Sequence, residues 1–294
     1  MADHQPSGRL VLAVAVALAA LLGIGWVAVS GHRSATTSPA AGMPSAAVRA
    51  TSGAALTPSP PPTSHQVEPP RTGPTTADPL TVVALGDSVP SAGSCDCTGY
   101  VERLGASLHS ATHRPVVVHN DATGGWTTAD VEQDLSSPST ARDLSHADLV
   151  IVEVGANDFD LDRVDDRACL PASTSPCWTA TMRDLRNGLS HIVARVRAAD
   201  ARPHLQVAVV GYWNVTVDGA VGQARGDAFV TGSDALTRAV NATIAGVAST
   251  LHAIYVDAYN PLKGDGTLDP TSALLDDGDH PNARGHALMA KAVL

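Results

Sequence analysis

Aromatic side chains are scarce in this chain. Phe, Trp and Tyr make up 3% of its 294 residues, although hydrophobic residues of all kinds make up 44%. A core of ordinary size is therefore possible, but it must be built from Ala, Val, Leu and Ile. Cationic side chains are in deficit too, with 19 Lys and Arg against 29 Asp and Glu, a formal charge of −10. From residue 80 onward the balance is 15 basic against 26 acidic. So acidic a surface argues against nucleic acid or anionic lipid as the partner of that part. Metal-binding patterns are missing as well: the chain has four cysteines, no paired C-x-x-C knuckles and no histidine at ligand spacing. A zinc site is disfavoured on that ground, and none is expected. No internal repeat is visible, which sets aside solenoids and propellers.

Charge is absent over one long stretch, the 21 residues from Leu10 to Ser30. As a helix rising about 1.5 Å per residue, that stretch matches a bilayer core. Arg9 precedes it and Trp26 stands near its far end, where interfacial residues are common. A cleavable export signal usually has a shorter apolar region. Residues 1–33 are therefore expected to anchor the protein in a membrane. Ala28-Val29-Ser30 is a small-x-small pattern, so the alternative is cleavage near Ser30 and secretion. Residues 34–79 hold ten of the twenty prolines, among many Ser, Thr and Ala. Such a composition cannot bury enough surface to fold and reads as an extended linker. The folded domain is expected over residues 80–294, with the membrane met through the N-terminal segment only.

An even number of cysteines in an exported chain suggests disulfides. Cys169 and Cys177 flank a short Pro-containing segment and suit a local bridge, which leaves Cys95 with Cys97 in a tight ring. Crossed pairings stay open, because both pairs follow candidate site motifs.

Five apolar, β-branched runs, at about 81–85, 115–119, 148–154, 205–211 and 253–257, alternate with helical patterns. Tyr100, Leu104 and Leu108 lie at helical spacing, and a shorter helix is expected from Thr127 to Leu135. Met182, Leu185, Leu189, Ile192, Val193 and Val196 mark the clearest amphipathic helix, and Leu236, Val240, Ile244, Val247 and Leu251 mark another. Asn282 to Val293 forms a last helix, with Ala287, Leu288 and Ala290 to bury. Strands apolar on both faces and separated by helices imply a parallel sheet covered on both sides, a three-layer α/β/α domain.

Gly86-Asp87-Ser88 ends the first strand, where open α/β sheets place their ligands. Alone it is an ordinary strand-to-helix turn. Three further stretches join it at the same edge: Asn120-Asp121-Ala122-Thr123-Gly124-Gly125, Gly155-Ala156-Asn157-Asp158, and Asp277-Gly278-Asp279-His280-Pro281-Asn282. A serine needs a base to take its proton, and a base histidine needs a carboxylate on its other ring nitrogen. His280 has three acidic neighbours. Asp279 is adjacent and would have to fold back awkwardly, whereas spacing alone does not separate Asp277 from Asp276.

Together the four stretches resemble the blocks of the SGNH, or GDSL, family of serine esterases and lipases, over roughly residues 80–294. The resemblance implies a flavodoxin-like sheet, with Ser88 as nucleophile, His280 as base and Asp277, from the D-x-x-H pattern, as its carboxylate. Gly125, five residues after Asn120, matches the family's oxyanion glycine, with Gly124 as a neighbour supplying turn geometry. The Asn157 side chain and the Ser88 backbone N–H complete the oxyanion donors. Asp158 and Asp87 read as loop support. The G-x-S-x-G elbow of α/β-hydrolases is absent, so that fold is disfavoured. Trp126, Trp178, Trp213 and Phe159 all follow site-edge segments, and two readings of them stand equally: lining for an acyl or sugar pocket, or ordinary loop packing. Asn214-Val215-Thr216 and Asn241-Ala242-Thr243 fit a glycosylation pattern by chance. The expectation is a monomeric serine hydrolase of small-molecule, lipid or glycan esters that needs no cofactor. Its rivals are an envelope polysaccharide O-deacetylase and a non-catalytic binding module on the same fold.

Overall fold

The strands are short and rich in valine: β1 (Leu80–Gly86), β2 (Val116–Asn120), β3 (Leu149–Glu153), β4 (Gln206–Val210) and β5 (Ile254–Val256). The computed structural model describes residues 78–294 apart from 165, 167, 170–174 and 200–203. The anchor expected over 1–33 and nearly all of the linker expected over 34–79 lie outside the described residues. Among the described residues no helix is long and apolar enough to cross a membrane. The strands form one sheet in the order β2-β1-β3-β4-β5, with every pair parallel. This is the flavodoxin-like order, in which the strand sequence reverses between β1 and β3.

Alternate residues of each strand serve different layers. Val83, Leu85, Val150, Val152, Val207 and Val209 join one aliphatic cluster with residues of α6 (Thr179–Ala199) and α8 (Asp227–Thr250). Val82, Ala84, Ile151, Ala208 and Val210 are also buried, as the intervening residues of a sheet covered on both sides must be. α6 contributes Leu185, Leu189, Ile192, Val193 and Val196, all fully buried. Each stabilises the fold by about 1.5–3 kcal/mol relative to exposure. α2 (Tyr100–Thr112) packs against β2 and against α10 (Ala283–Val293).

Shorter helices fill the connections: α1 (Ser88–Ser91), α3 (Thr128–Asp134), α4 (Pro138–Leu144), α5 (Leu161–Val164), α7 (Gly219–Ala224) and α9 (Tyr259–Lys263). Of these, α4 forms through local chemistry rather than apolar spacing. Ser137 accepts the Thr140 N–H as its cap, and Pro138 occupies the first turn. α10 is rotated from its expected setting. It buries His286, Met289, Ala290 and Val293, and leaves Ala287 and Leu288 half-buried. The ring of His286 stacks on Tyr100 of α2 at 6.3 Å between centroids, which fixes that face inward.

Among the described glycines the tightest position lies where β1 passes β3. A Cβ on Gly86 would stand 2.0 Å from the Glu153 carbonyl oxygen. That oxygen already accepts the Asp87 N–H at 3.1 Å. Gly86→Ala should therefore cost about 3 kcal/mol or more, since the obstacle is backbone and cannot rotate away. Urea unfolding measures it, and wild-type stability in this variant would disprove the close packing.

Candidate active site

Asp87 ends β1 and begins α1. Its Oδ1 accepts the Val89 N–H at 3.1 Å and caps the four-residue helix on which Ser88 sits, half-buried. From the neighbouring strand, Asn120 Nδ2 donates to the Pro90 carbonyl and to Glu102 Oε1, both at 2.9 Å. The Thr123 N–H then donates to the Gly86 carbonyl at 3.0 Å and draws the loop after β2 across the end of β1. Gly124 and Gly125 follow in that loop. Gly125 holds the left-handed turn at φ 83°, and Gly124 runs beside the serine, where a Cβ would lie 3.7 Å from Ser88 Cβ.

Asn157 stands exposed on the single turn after β3, and its Nδ2 donates to the Trp126 carbonyl at 3.0 Å. The side chain thus bridges to the segment that carries Gly125 rather than bonding its own turn. Asp158 accepts the Thr128 N–H at 3.0 Å and also the Thr128 hydroxyl, which pins this turn to the start of α3.

The histidine loop resolves the choice among the three aspartates. Asp277 Oδ2 lies 2.8 Å from His280 Nδ1, and Asp279 Oδ2 lies 3.9 Å from it. The other Asp277 oxygen accepts two backbone N–H groups, from Asp279 at 2.8 Å and from His280 at 3.0 Å. Burial acts to raise the Asp277 carboxyl. The bonds from His280 and Asp279 outweigh it and hold the group below the ordinary carboxylate range. Leu275 N–H bonds the His280 carbonyl at 2.8 Å and closes the loop on itself. Asn282 then caps α10 through the N–H groups of Arg284 and Gly285.

Two buried polar layers support these loops, and neither was read from the sequence. In the first, the Tyr212 hydroxyl donates to Asp87 Oδ2 at 2.6 Å and accepts the Ala156 N–H at 3.4 Å. It therefore joins the serine segment to the asparagine segment. Asn241 of α8 clamps Tyr212 by donating to its carbonyl at 2.7 Å and accepting its N–H at 2.8 Å. In the second, Lys263 is 4% exposed and sits 2.7 Å from Asp218 and 2.9 Å from Asp234. The Asp218 N–H donates to the Gly278 carbonyl at 2.7 Å, inside the histidine loop. The only sequence signal for either layer was a polar residue at an apolar-periodic position, as with Asn241 one place after Val240.

Burial pushes the Asp87 carboxyl up to about 6, against the opposing bonds from Tyr212 and Val89. The charge of Asp279 raises it further and that of His280 lowers it, so the histidine loop acts on the serine segment electrostatically. Glu153 is fully buried nearby, and burial followed by the Asp87 charge pushes it well above the usual carboxylate range.

Of the two readings of the aromatic rings, packing describes three of the four. Trp178, Trp213 and Phe159 are 2%, 1% and 4% exposed, and only Trp126 is half-buried. Phe159 and Trp178 pack on each other at 5.6 Å, and Trp178 Nε1 donates to the Cys169 carbonyl. In so aromatic-poor a chain the large rings are needed as core under the loops. Disulfides join Cys95 to Cys97 and Cys169 to Cys177. Asn214 and Asn241 are both buried and hydrogen-bonded, so neither is open to a glycan in the folded chain.

The raised Asp87 carboxyl predicts a pH dependence. A folded-state value above the unfolded one means the Asp87 contribution to stability is fully present below pH ~4 and is lost as pH rises to about 6. Asp87→Asn should remove that fall, which is on the order of 2–3 kcal/mol. Tyr212→Phe removes a bond to the ionised form and should extend the fall to higher pH. Denaturant unfolding between pH 4 and 8 checks both; equal slopes in all three proteins would refute the assignment.

The profile of the GDSL-like Lipase/Acylhydrolase family matches residues 84–288. No curated protein matches the chain. Among solved structures, the lipase Lip_vut3 from a goat rumen metagenome is similar at 18% identity and TM-score 0.56, over 73% of this chain and 95% of that one. The extracellular lipase of Streptomyces rimosus is similar at 21% identity and TM-score 0.54, over 73% and 98% of the two chains. A catalytic variant of the acetylxylan esterase Axe2 from Geobacillus stearothermophilus gives 19% identity and TM-score 0.51, over 73% and 92%. At these identities the structures speak for the fold alone. The profile spans more than half of the chain and ends just past the histidine loop, and on that ground the protein belongs to the GDSL-like lipase/acylhydrolase (SGNH) family of esterases and lipases.

Proposed function

We propose that this protein is an exported serine hydrolase that cleaves short-acyl carboxylic esters through an acyl-enzyme. Ser88 Oγ attacks the ester carbonyl while His280 Nε2 takes its proton. The protonated imidazole then gives that proton to the departing alcohol, and water repeats the cycle on the acyl-serine. Asp277 fixes the tautomer that leaves Nε2 free and stabilises the imidazolium. The N–H groups of Ser88 and Gly125, with the Asn157 side chain, receive the oxyanion. The observation that carries this reading is the 2.8 Å contact between Asp277 Oδ2 and His280 Nδ1, with the other carboxylate oxygen held by two N–H groups. A carboxylate so restrained orients a base.

The short acyl group is argued from exposure. Gly124, Gly125 and Asn157 are exposed, and Trp178, Trp213 and Phe159 are buried as packing. The same open shelf favours a second reading, removal of O-acetyl groups from an extended envelope polysaccharide. Export rests on the uncharged run Leu10 to Ser30 and the proline-rich stretch after it. The proposal is that residues 10–30 hold the enzyme at the outer membrane face, in the manner of exported actinobacterial relatives. A mature N-terminus at Gly31 would instead mean secretion.

Ser88→Ala should abolish hydrolysis of nitrophenyl acetate and labelling by a serine-directed organophosphate. Labelling of another serine would overturn the assignment. Asn157→Ala should fold normally and lose about a hundred- to a thousand-fold in turnover, the loss of one oxyanion donor. Activity should fall from acetyl to octanoyl esters, and a rise would point to a lipase instead.

A further inference from the structure

The Cys95–Cys97 ring lies in the segment between α1 and α2, with both cysteines half-buried and Asp96 between them exposed. Beneath it is His286 of α10. This imidazole is 1% exposed, and its Nδ1 has no hydrogen-bond partner among the described residues. A buried polar nitrogen left unpaired costs about 1–3 kcal/mol. Native structures rarely keep one without a use. The two sulfurs and a ring nitrogen of His286 all lie within 4.8 Å of one another. Two sulfurs and an imidazole are the donor set that selects thiophilic d10 ions. Joined to each other, however, the sulfurs offer no thiolate.

We propose that reduction of the Cys95–Cys97 bond opens a metal site for such an ion, with Zn2+ as its representative, held by both thiolates and the His286 imidazole. The reductant is a dithiol. It transfers two electrons and two protons to the disulfide, leaves as a cyclic disulfide, and yields two cysteine thiols. Zn2+ displaces the two thiol protons to water and takes a lone pair from one imidazole nitrogen, while the other nitrogen keeps its proton. Tetrahedral ligands at about 2.0–2.3 Å from the metal stand roughly 3.5 Å apart. The freed sulfurs have only to part from bonding distance, and the ring nitrogen has only to close from within 4.8 Å. The fourth position faces the solvent that reaches both cysteines, and suits a water.

The geometry gives the site a consequence for the fold. In the disulfide form the link is local, spanning two residues. In the metal form it joins the segment following Ser88 to the helix following His280. One redox event would thus exchange a local ring for a tie between the two halves of the active site.

The test uses the full-length protein, reduced anaerobically with a phosphine, freed of reductant and titrated with Zn2+ against a chromophoric chelator. The reduced protein should bind one equivalent at least tenfold more tightly than the disulfide form. Co2+ in place of Zn2+ should give a thiolate charge-transfer band. His286→Gln should weaken Zn2+ binding at least tenfold. The double variant Cys95→Ser, Cys97→Ser should abolish it under the same reduction, which also opens Cys169–Cys177 and so controls for that pair. Cooperative urea unfolding reports that each variant is folded, independently of any esterase activity. If His286→Gln does not fold, the serine double variant decides, because its changes lie in a solvent-reached segment. Equal binding by the two redox forms, or undiminished binding by the serine variant, would overturn the site.

Discussion

Parallel pairing forces every strand of this sheet to leave by the same edge, and the active-site geometry depends on that one constraint. Ser88, the Gly124–Gly125 turn and Asn157 are 69 residues apart at their extremes, yet each follows directly on a strand, β1, β2 or β3. Their convergence needs no long-range recognition beyond the register of three ladders. The register itself is narrow, because Gly86 has no room for a side chain against β3. A shift of one residue would move Asp87 off the Glu153 carbonyl and turn every aliphatic side chain to the opposite layer.

His280 is the residue the sheet does not place, since no strand precedes its loop. Local bonds and a buried ion pair do that work instead. The loop closes on itself through Leu275 and His280, and is held to the body by Asp218. Asp218 is in turn fixed by Lys263, a cation sunk in the protein between two carboxylates. Removing one member of such a group leaves an uncompensated buried charge, so the arrangement resists piecemeal change. It also holds the loop firmly, since neither Lys263 nor Asp218 is exposed to water.

The sheet was legible in the sequence because β-branched runs of five to seven residues are hard to read as anything else. The site stretches were legible because glycine, asparagine and aspartate at strand ends have few alternative uses in combination. Tyr212, Asn241 and Lys263 were not. Their roles depend on which polar atoms meet across layers that are distant in sequence, and no local pattern encodes that meeting. The aromatic rings are ambiguous in the sequence for a related reason. Position along the chain put Trp178, Trp213 and Phe159 near the site, but the shortage of large side chains drew them inward as packing. The phase of α10 is hidden in the sequence because one of its inward residues is a histidine, His286, stacked on Tyr100.

Asn241 carries one last consequence. Its amide is fully engaged in clamping Tyr212, yet with Ala242 and Thr243 it spells a glycan acceptor. In the folded chain nothing can reach it. A eukaryotic secretory pathway, however, modifies nascent chains as they enter the lumen, before α8 has packed. A sugar attached at that moment would occupy the nitrogen that must bond the Tyr212 carbonyl and could not be accommodated in the layer between β4 and α8. Production in such a host would trap the polypeptide short of its native state, while a host without that machinery would leave the clamp free to close.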